Sequence, residues 1–139
     1  MIGEFPSEDM ALTVLLVVSD LDRSVAFYRD VLGASLYREY GGTSAVFSFA
    51  GTWILLVTGG EPTKDKPDVT FTPPGDPKLV DHEFTIRVPD GQAAYDTLSS
   101  RGAEFLTPPI DRGGEIRCYL RDPDGHLIEV GQLVKRPDG

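Results

Sequence analysis

Thiols, imidazoles and long apolar runs are all scarce in this chain. A single cysteine, Cys118, excludes an intrachain disulfide framework and fits a reducing compartment. Only two histidines are present, His82 and His126, so a two-histidine metal site has to use both. There is no zinc-type cysteine spacing, no Ser-His-Asp arrangement and no phosphate-cradling glycine loop. The longest apolar run, Val14 to Val18, is far too short to span a bilayer. Residues 1–10 form a polar tail without the basic stretch and apolar core of a secretory signal. Acids outnumber bases 22 to 13, and the formal net charge of −9 argues against nucleic acid and against an anionic membrane surface as partners. The expected setting is the cytoplasm.

What is present points to one small α+β domain with a real core, since 139 residues suffice for that. Leu12 to Val18 reads as a strand buried on both faces, being rich in β-branched residues. Asp20 then caps a helix running to about Leu32, with Leu21, Val25, Tyr28 and Leu32 as its apolar stripe and Gly33 as its stop. Strands are expected at Ser35–Tyr40, Ser44–Phe49 and Thr52–Val57, separated by turns at Gly41-Gly42 and Ala50-Gly51. Residues 58–80 hold five prolines and form a connector, with a possible short strand at Val69–Thr72.

The pattern then begins again. Glu83–Val88 is a strand and Asp90 a cap. Ala93 to about Arg101 is a helix ended by Gly102, and Glu104–Leu106, Ile116–Leu120 and Leu127–Gln132 are the strands after it. Val18-Ser19-Asp20 answers Val88-Pro89-Asp90, Gly33-Ala34 answers Gly102-Ala103, and Gly41-Gly42 answers Gly113-Gly114. The chain is therefore a two-copy βαβββ repeat. Module one spans 11–60, the connector 61–79, module two 80–134, and 135–139 is a C-terminal tail. With one helix on each sheet, the opposite faces are free to curl around a common hollow as a half-open mixed β-barrel.

Alternate side chains of a strand point to opposite faces, so parity fixes which residues line that hollow. Glu129, a lone acid among apolar neighbours after the Asp122-Pro123-Asp124-Gly125 turn, costs energy there unless it is satisfied. Taking it as inward, module one contributes Thr13, Leu15, Val17, Trp53, Leu55 and Val57. Module two contributes Glu83, Thr85, Arg87, Leu127, Glu129 and Gly131. One wall is greasy with an aromatic plate and the other holds two acids and an arginine, the composition of a small-molecule site. A regular hairpin register adds Cys118 to the face of Glu129. Arg87 suits either an internal ion pair or an anionic ligand group, and Trp53 either the core or a planar ligand.

Val-Ser-Asp-Leu-Asp-Arg-Ser-Val-Ala-Phe-Tyr-Arg-Asp-Val-Leu-Gly (18–33), together with Arg-Asp-Pro-Asp-Gly-His-Leu-Ile-Glu (121–129), resembles the vicinal oxygen chelate superfamily. That group contains glyoxalases, fosfomycin-resistance transferases, extradiol dioxygenases, methylmalonyl-CoA epimerases and bleomycin-binding resistance proteins. The resemblance covers about residues 11 to 133 and implies metal ligands at the positions of Thr13, Leu55, Glu83 and Glu129. The final Glu is kept. Thr13 and Leu55 replace the usual His and acid or amide, and Glu83 stands where His is common, with His82 beside it.

Three functions follow as expectations. The first is a protein that binds a small organic molecule beside a degraded metal site. The second is a lyase, isomerase or dioxygenase with zinc, nickel, manganese or iron on Glu129, Glu83 and perhaps a bulge-turned His82. The third is a metal-free acid–base enzyme using Glu83 and Glu129. A homodimer is expected, because such modules cover their sheet edges with a further copy.

Overall fold

The computed structural model describes residues 3–134, so the tail at 135–139 lies outside the described residues. In module one, β1 (Thr13–Val18) leads to α1 (Leu21–Ala26), and Phe27–Val31 continue it as a π-helical turn closed by Leu32 N–H donating to the Phe27 carbonyl. β2 (Ser35–Tyr40), β3 (Ser44–Phe49) and β4 (Thr52–Thr58) follow. Module two repeats this with β5 (Glu83–Arg87), α2 (Gly91–Ser100), β6 (Ile110–Asp111), β7 (Glu115–Arg121) and β8 (Leu127–Leu133). The sheets run in order β1-β4-β3-β2 and β5-β8-β7-β6, with the first and last strand of each module paired in parallel and the other neighbours antiparallel. The fold is α+β, built from two βαβββ modules.

Both helices start as the side chains dictate. Asp20 accepts a hydrogen bond from the Arg23 amide at 3.1 Å and Asp90 one from the Ala93 amide at 3.0 Å, each satisfying an orphan donor of a first turn. The alternate strand residues Leu16, Val18, Ile54, Leu56, Ala45 and Phe47 turn to the helix side of their sheet. Cys118, Leu120, Ile128 and Val130 do the same in module two, and all ten belong to one continuous core. Burying each large apolar side chain contributes roughly 1.5–3 kcal/mol. Among the described residues, no helix is long and apolar enough to cross a membrane.

Three strand expectations are corrected. The first strand is buried only on its helix side, with Leu12 84% and Leu15 41% exposed. Glu104–Leu106 is not a strand: Phe105 alone bridges Leu120, and the edge strand is displaced to Ile110–Asp111. Pro108 and Pro109 have no N–H to donate and prevent a ladder from running through. Val69–Thr72 likewise reduces to a single bridge between Phe71 and Gly60.

The Asp122–His126 loop joins the modules. Gly125 turns it at φ +93°, a conformation that glycine adopts without a Cβ clash. One carboxylate oxygen of Asp122 accepts from the Asp124 and His126 amides at 3.0 and 2.8 Å, while the other accepts from the Tyr28 hydroxyl of module one at 2.8 Å. Asp124 accepts from the Ser19 amide and hydroxyl and from the Ser24 hydroxyl. Nε2 of His126 lies 2.7 Å from the Val17 carbonyl, which only accepts, so Nε2 carries the proton. Burial pushes the Asp122 carboxyl above its ordinary value and the Tyr28 phenol well above its own. The turn that identifies the sequence is thus spent on holding two halves together.

Candidate functional site

The face of each sheet that points away from its helix carries the residues that parity assigns to it. In module one, Thr13 pairs with Trp53, Leu15 with Leu55 and Val17 with Val57, side by side across β1 and β4. Trp53 is 38% exposed and meets the Tyr37 ring edge to face at 5.3 Å. Thr13, Tyr37, Val46, Trp53 and Leu55 line a cavity of about 350 Å³, all of them from module one.

In module two the open face is ordered in rows across β5, β8 and β7. Glu83, Leu127 and Arg121 make the first row, Thr85, Glu129 and Tyr119 the second, and Arg87, Gly131 and Arg117 the third. Glu129 is only 7% exposed. Its Oε1 accepts from the Tyr119 hydroxyl at 2.7 Å and its Oε2 from the Thr85 hydroxyl at 3.2 Å, which is how a carboxylate survives burial in a strand. The hydrogen bond to Glu129, and then burial, raise the Tyr119 phenol and keep it a donor. Thr85 Oγ1 also lies 3.3 and 3.4 Å from the two oxygens of Glu83, so its single proton is shared between the acids. Glu83 itself is exposed.

Arg87 reaches over Gly131 to Glu115, Nη1 to Oε2, at 3.2 Å, and Arg117 binds the other oxygen of Glu115 at 3.0 Å. The two arginines hold the Glu115 carboxyl below its usual range, Arg117 most strongly. Arg121 donates to the Gly125 and Pro77 carbonyls and so ties the hairpin to the connector.

Cys118 requires a correction. It pairs with Val130, not Glu129, and is 1% exposed in the helix-side core. A turn of Asp122-Pro123-Asp124-Gly125 alone would set Arg121 opposite His126 and Cys118 opposite Glu129. Asp122 N–H donates to the His126 carbonyl, so His126 belongs to the loop and Arg121 pairs with Leu127. That extra loop residue swings Cys118 inward and brings Tyr119 to Glu129, since a one-residue slip reverses every side chain. Burial raises the Cys118 thiol to about 11.

His82 directly precedes Glu83 in the chain but lines a hollow that neither acid lines. It lines a cleft of about 300 Å³ beneath the connector, with Leu15, Val17, Pro74, His126 and Leu127. Among the described residues no three His, Cys, Asp or Glu side chains converge. Glu129 spends both oxygens on protein hydroxyls, Glu83 stands beyond Thr85, and Thr13 and Leu55 bring no strong ligand. Within one chain this donor set does not fit a divalent ion that wants three or four protein ligands.

Residues 11–130 match the Glyoxalase/Bleomycin resistance protein/Dioxygenase superfamily. The chain belongs to that superfamily. It is 34% identical over 125 residues to metallothiol transferase FosB of Shouchella clausii, covering 86% of this chain and 78% of that one. It is 29% identical over 135 residues to a probable lactoylglutathione lyase of Vibrio cholerae, covering 91% and 92%. Among solved structures, a glyoxalase/bleomycin resistance protein/dioxygenase from Nocardioides superposes with a TM-score of 0.69 at 26% identity, covering 94% of this chain and 89% of that one. FosX of Listeria monocytogenes, at 18% identity and a TM-score of 0.64, shares the fold.

Proposed function

We propose that this member of the superfamily binds a small organic molecule against the open faces of its sheets, with Trp53, Thr13 and Leu55 supplying an apolar plate and Glu129, Glu83, Thr85 and Arg87 the polar contacts. The observation that carries this reading is the 350 Å³ cavity around the half-exposed Trp53, since a small, mostly apolar hollow with an aromatic wall suits a planar ligand. Trp53 is the only tryptophan, so its fluorescence reports on that wall alone. Titration with planar aromatic compounds is expected to quench it saturably, and a chelator is expected to leave the titration unchanged. Linear, non-saturating quenching across such compounds would remove the proposal.

The protein works as a homodimer in the cytoplasm on this reading. A second copy covers the apolar side chains that the edge strand β2 leaves exposed, Leu36 at 37% and Tyr40 at 46% among them. Light scattering is expected to give twice the chain mass.

A second reading has an observation in its favour. Glu129 is kept four residues after the hairpin glycine, a relative is a metallothiol transferase, and one FosX structure is complexed with Mn(II). A metal-dependent lyase, isomerase or dioxygenase would use Glu129 and Glu83, with His82 brought round by a change in the connector. Stoichiometric zinc, nickel, manganese or iron in protein purified without chelator, lost on Glu129→Ala, would favour it over simple binding.

A further inference from the structure

The two modules meet through two junctions of the same design, and the repeat makes them comparable residue by residue. Counted from the capping aspartates Asp20 and Asp90, Ser24 and Tyr28 on the first helix answer Ala94 and Leu98 on the second. The short turn Ala50-Gly51 after β3 answers the longer turn Asp122–His126 after β7. In the first junction the longer turn reaches the helix: Tyr28 donates to Asp122 at 2.8 Å and Ser24 to Asp124 at 3.3 Å. In the second, Ala94 and Leu98 have no hydroxyl to offer, and among the described residues no hydrogen bond joins the short turn to α2.

A hollow of about 350 Å³ lies there instead. Leu32, Leu98 and Val130 are buried beneath it, and Phe49, Ile86 and Ala94 flank it, half-buried. Ile86 and Val130 stand side by side across β5 and β8. Asp90 is the one charged residue in the lining, at the rim, and one of its oxygens is held by the Ala93 amide. A hollow with so few polar partners holds water poorly and suits an apolar molecule. The filled junction says which kind. Where the first helix carries a phenol, the second carries the shorter Leu98, so the group lacking is a six-membered ring. Where the phenol finds the Asp122 carboxylate, the second junction offers the ring of Phe49, so the missing ring needs no hydroxyl and tolerates no charge.

We propose that the crevice between α2 and β5 is a second small-molecule site, which takes an uncharged aromatic ring the size of the Tyr28 side chain. The ring packs against Leu32 and Phe49 of module one and against Ile86, Leu98 and Val130 of module two, and so bridges the modules where the chain itself does not. The site lies on the helix side of the sheets and shares no residue with the Trp53 cavity, so it stands or falls apart from the open-face reading.

The test is titration of the full chain with toluene and with benzoate, read from the methyl resonances of Leu32, Ile86, Leu98 and Val130. Toluene is expected to shift these signals saturably. Benzoate is expected to leave them still, because its charge has no partner in the crevice and meets Asp90 at the rim. Ala94→Leu keeps a strong helix former and fills the crevice, and toluene affinity is expected to fall by at least about tenfold. Leu98→Phe supplies the ring from the chain itself and is expected to do the same, which decides the matter if Ala94→Leu does not fold. Absent or non-saturating toluene shifts, equal binding of benzoate, or an unaltered affinity in a folded variant would overturn the site. So would wild type that ignores toluene while folded Ala94→Leu shows half its mass by light scattering, the mark of a crevice covered by a second copy. Failure of planar compounds to quench Trp53 while the crevice methyls still respond to toluene would remove the proposed plate and leave this site standing.

Discussion

Removing the Tyr28 hydroxyl gives the sharpest test of how the two modules are held together. Tyr28 is 0% exposed and Asp122 5%, and the phenol is the donor on one of the two carboxylate oxygens, at 2.8 Å. Tyr28→Phe keeps the ring against Phe47 and Phe27 and deletes only the donor. A buried hydrogen bond to a charged acceptor contributes about 1.5–3 kcal/mol, so a loss of roughly 2 kcal/mol is expected. For a chain of this size that lowers Tm by roughly 5–8 °C. Asp122→Asn is the control, because its amide oxygen still accepts from both loop amides and its NH2 can donate to the phenol oxygen. Its cost is expected to stay under about 1 kcal/mol.

The sign of the pH dependence follows from the same site. Burial raises the Asp122 carboxyl in the folded protein, so the folded state holds its proton more tightly than the unfolded chain does. Stability from this group is therefore fully present below the ordinary carboxylate value and falls as pH rises through the raised one. Asp122→Asn is expected to flatten that decline. Urea unfolding of the three proteins from pH 4 to 8 reads both effects. A Tyr28→Phe variant within about 0.5 kcal/mol of wild type, against the expected 2, would refute the inter-module role of the hydroxyl.

Further outcomes follow from other contacts. Cys118, buried and with its thiol raised to about 11, is expected to resist a disulfide reagent at pH 8 until denaturant is added; rapid stoichiometric labelling of the native protein would contradict its placement. Tyr119→Phe is expected to remove an absorbance step above the ordinary tyrosine range, because Glu129 holds that phenol protonated. Glu115 is held below its usual value, so its ion pairs support folding above that range and fade as pH falls through the depressed one. The stability of Glu115→Gln should accordingly converge on that of wild type in acid, and a gap that widens there would reverse the sign. His126→Ala leaves the Val17 carbonyl unpaired on a strand edge and is expected to cost about 1 kcal/mol by urea unfolding.

The repeat and the strand faces were legible because β-strands have a period of two. Once Glu129 is taken as facing away from the helix, Thr85 and Arg87 on one strand, and Leu55 and Trp53 on another, follow without further information. Tyr119 faces Glu129 only because the loop is one residue longer than its Asp-Pro-Asp-Gly turn. Counting His126 into the loop moves the pairing by one residue and exchanges Cys118 for Tyr119. Nothing local tells that the Asp122 carboxylate reaches forward to the His126 amide. Nor can a sequence show that Asp122, Asp124 and His126 are all engaged by the Ser19, Ser24, Tyr28 and Val17 of the other module, because those contacts span about a hundred residues. The edge strand slipped for a visible reason, Pro108-Pro109, whose weight against a β-rich triplet is set only by the neighbouring strand.

The most direct measurement is a map of backbone amide shifts on adding a planar carboxylate such as 2-naphthoate. The account predicts that they cluster at Thr13, Trp53, Leu55, Thr85, Glu129 and Gly131. Shifts gathered instead in the apolar crevice between α2 and β5, around Leu32, Ile86, Ala94 and Leu98, would contradict it.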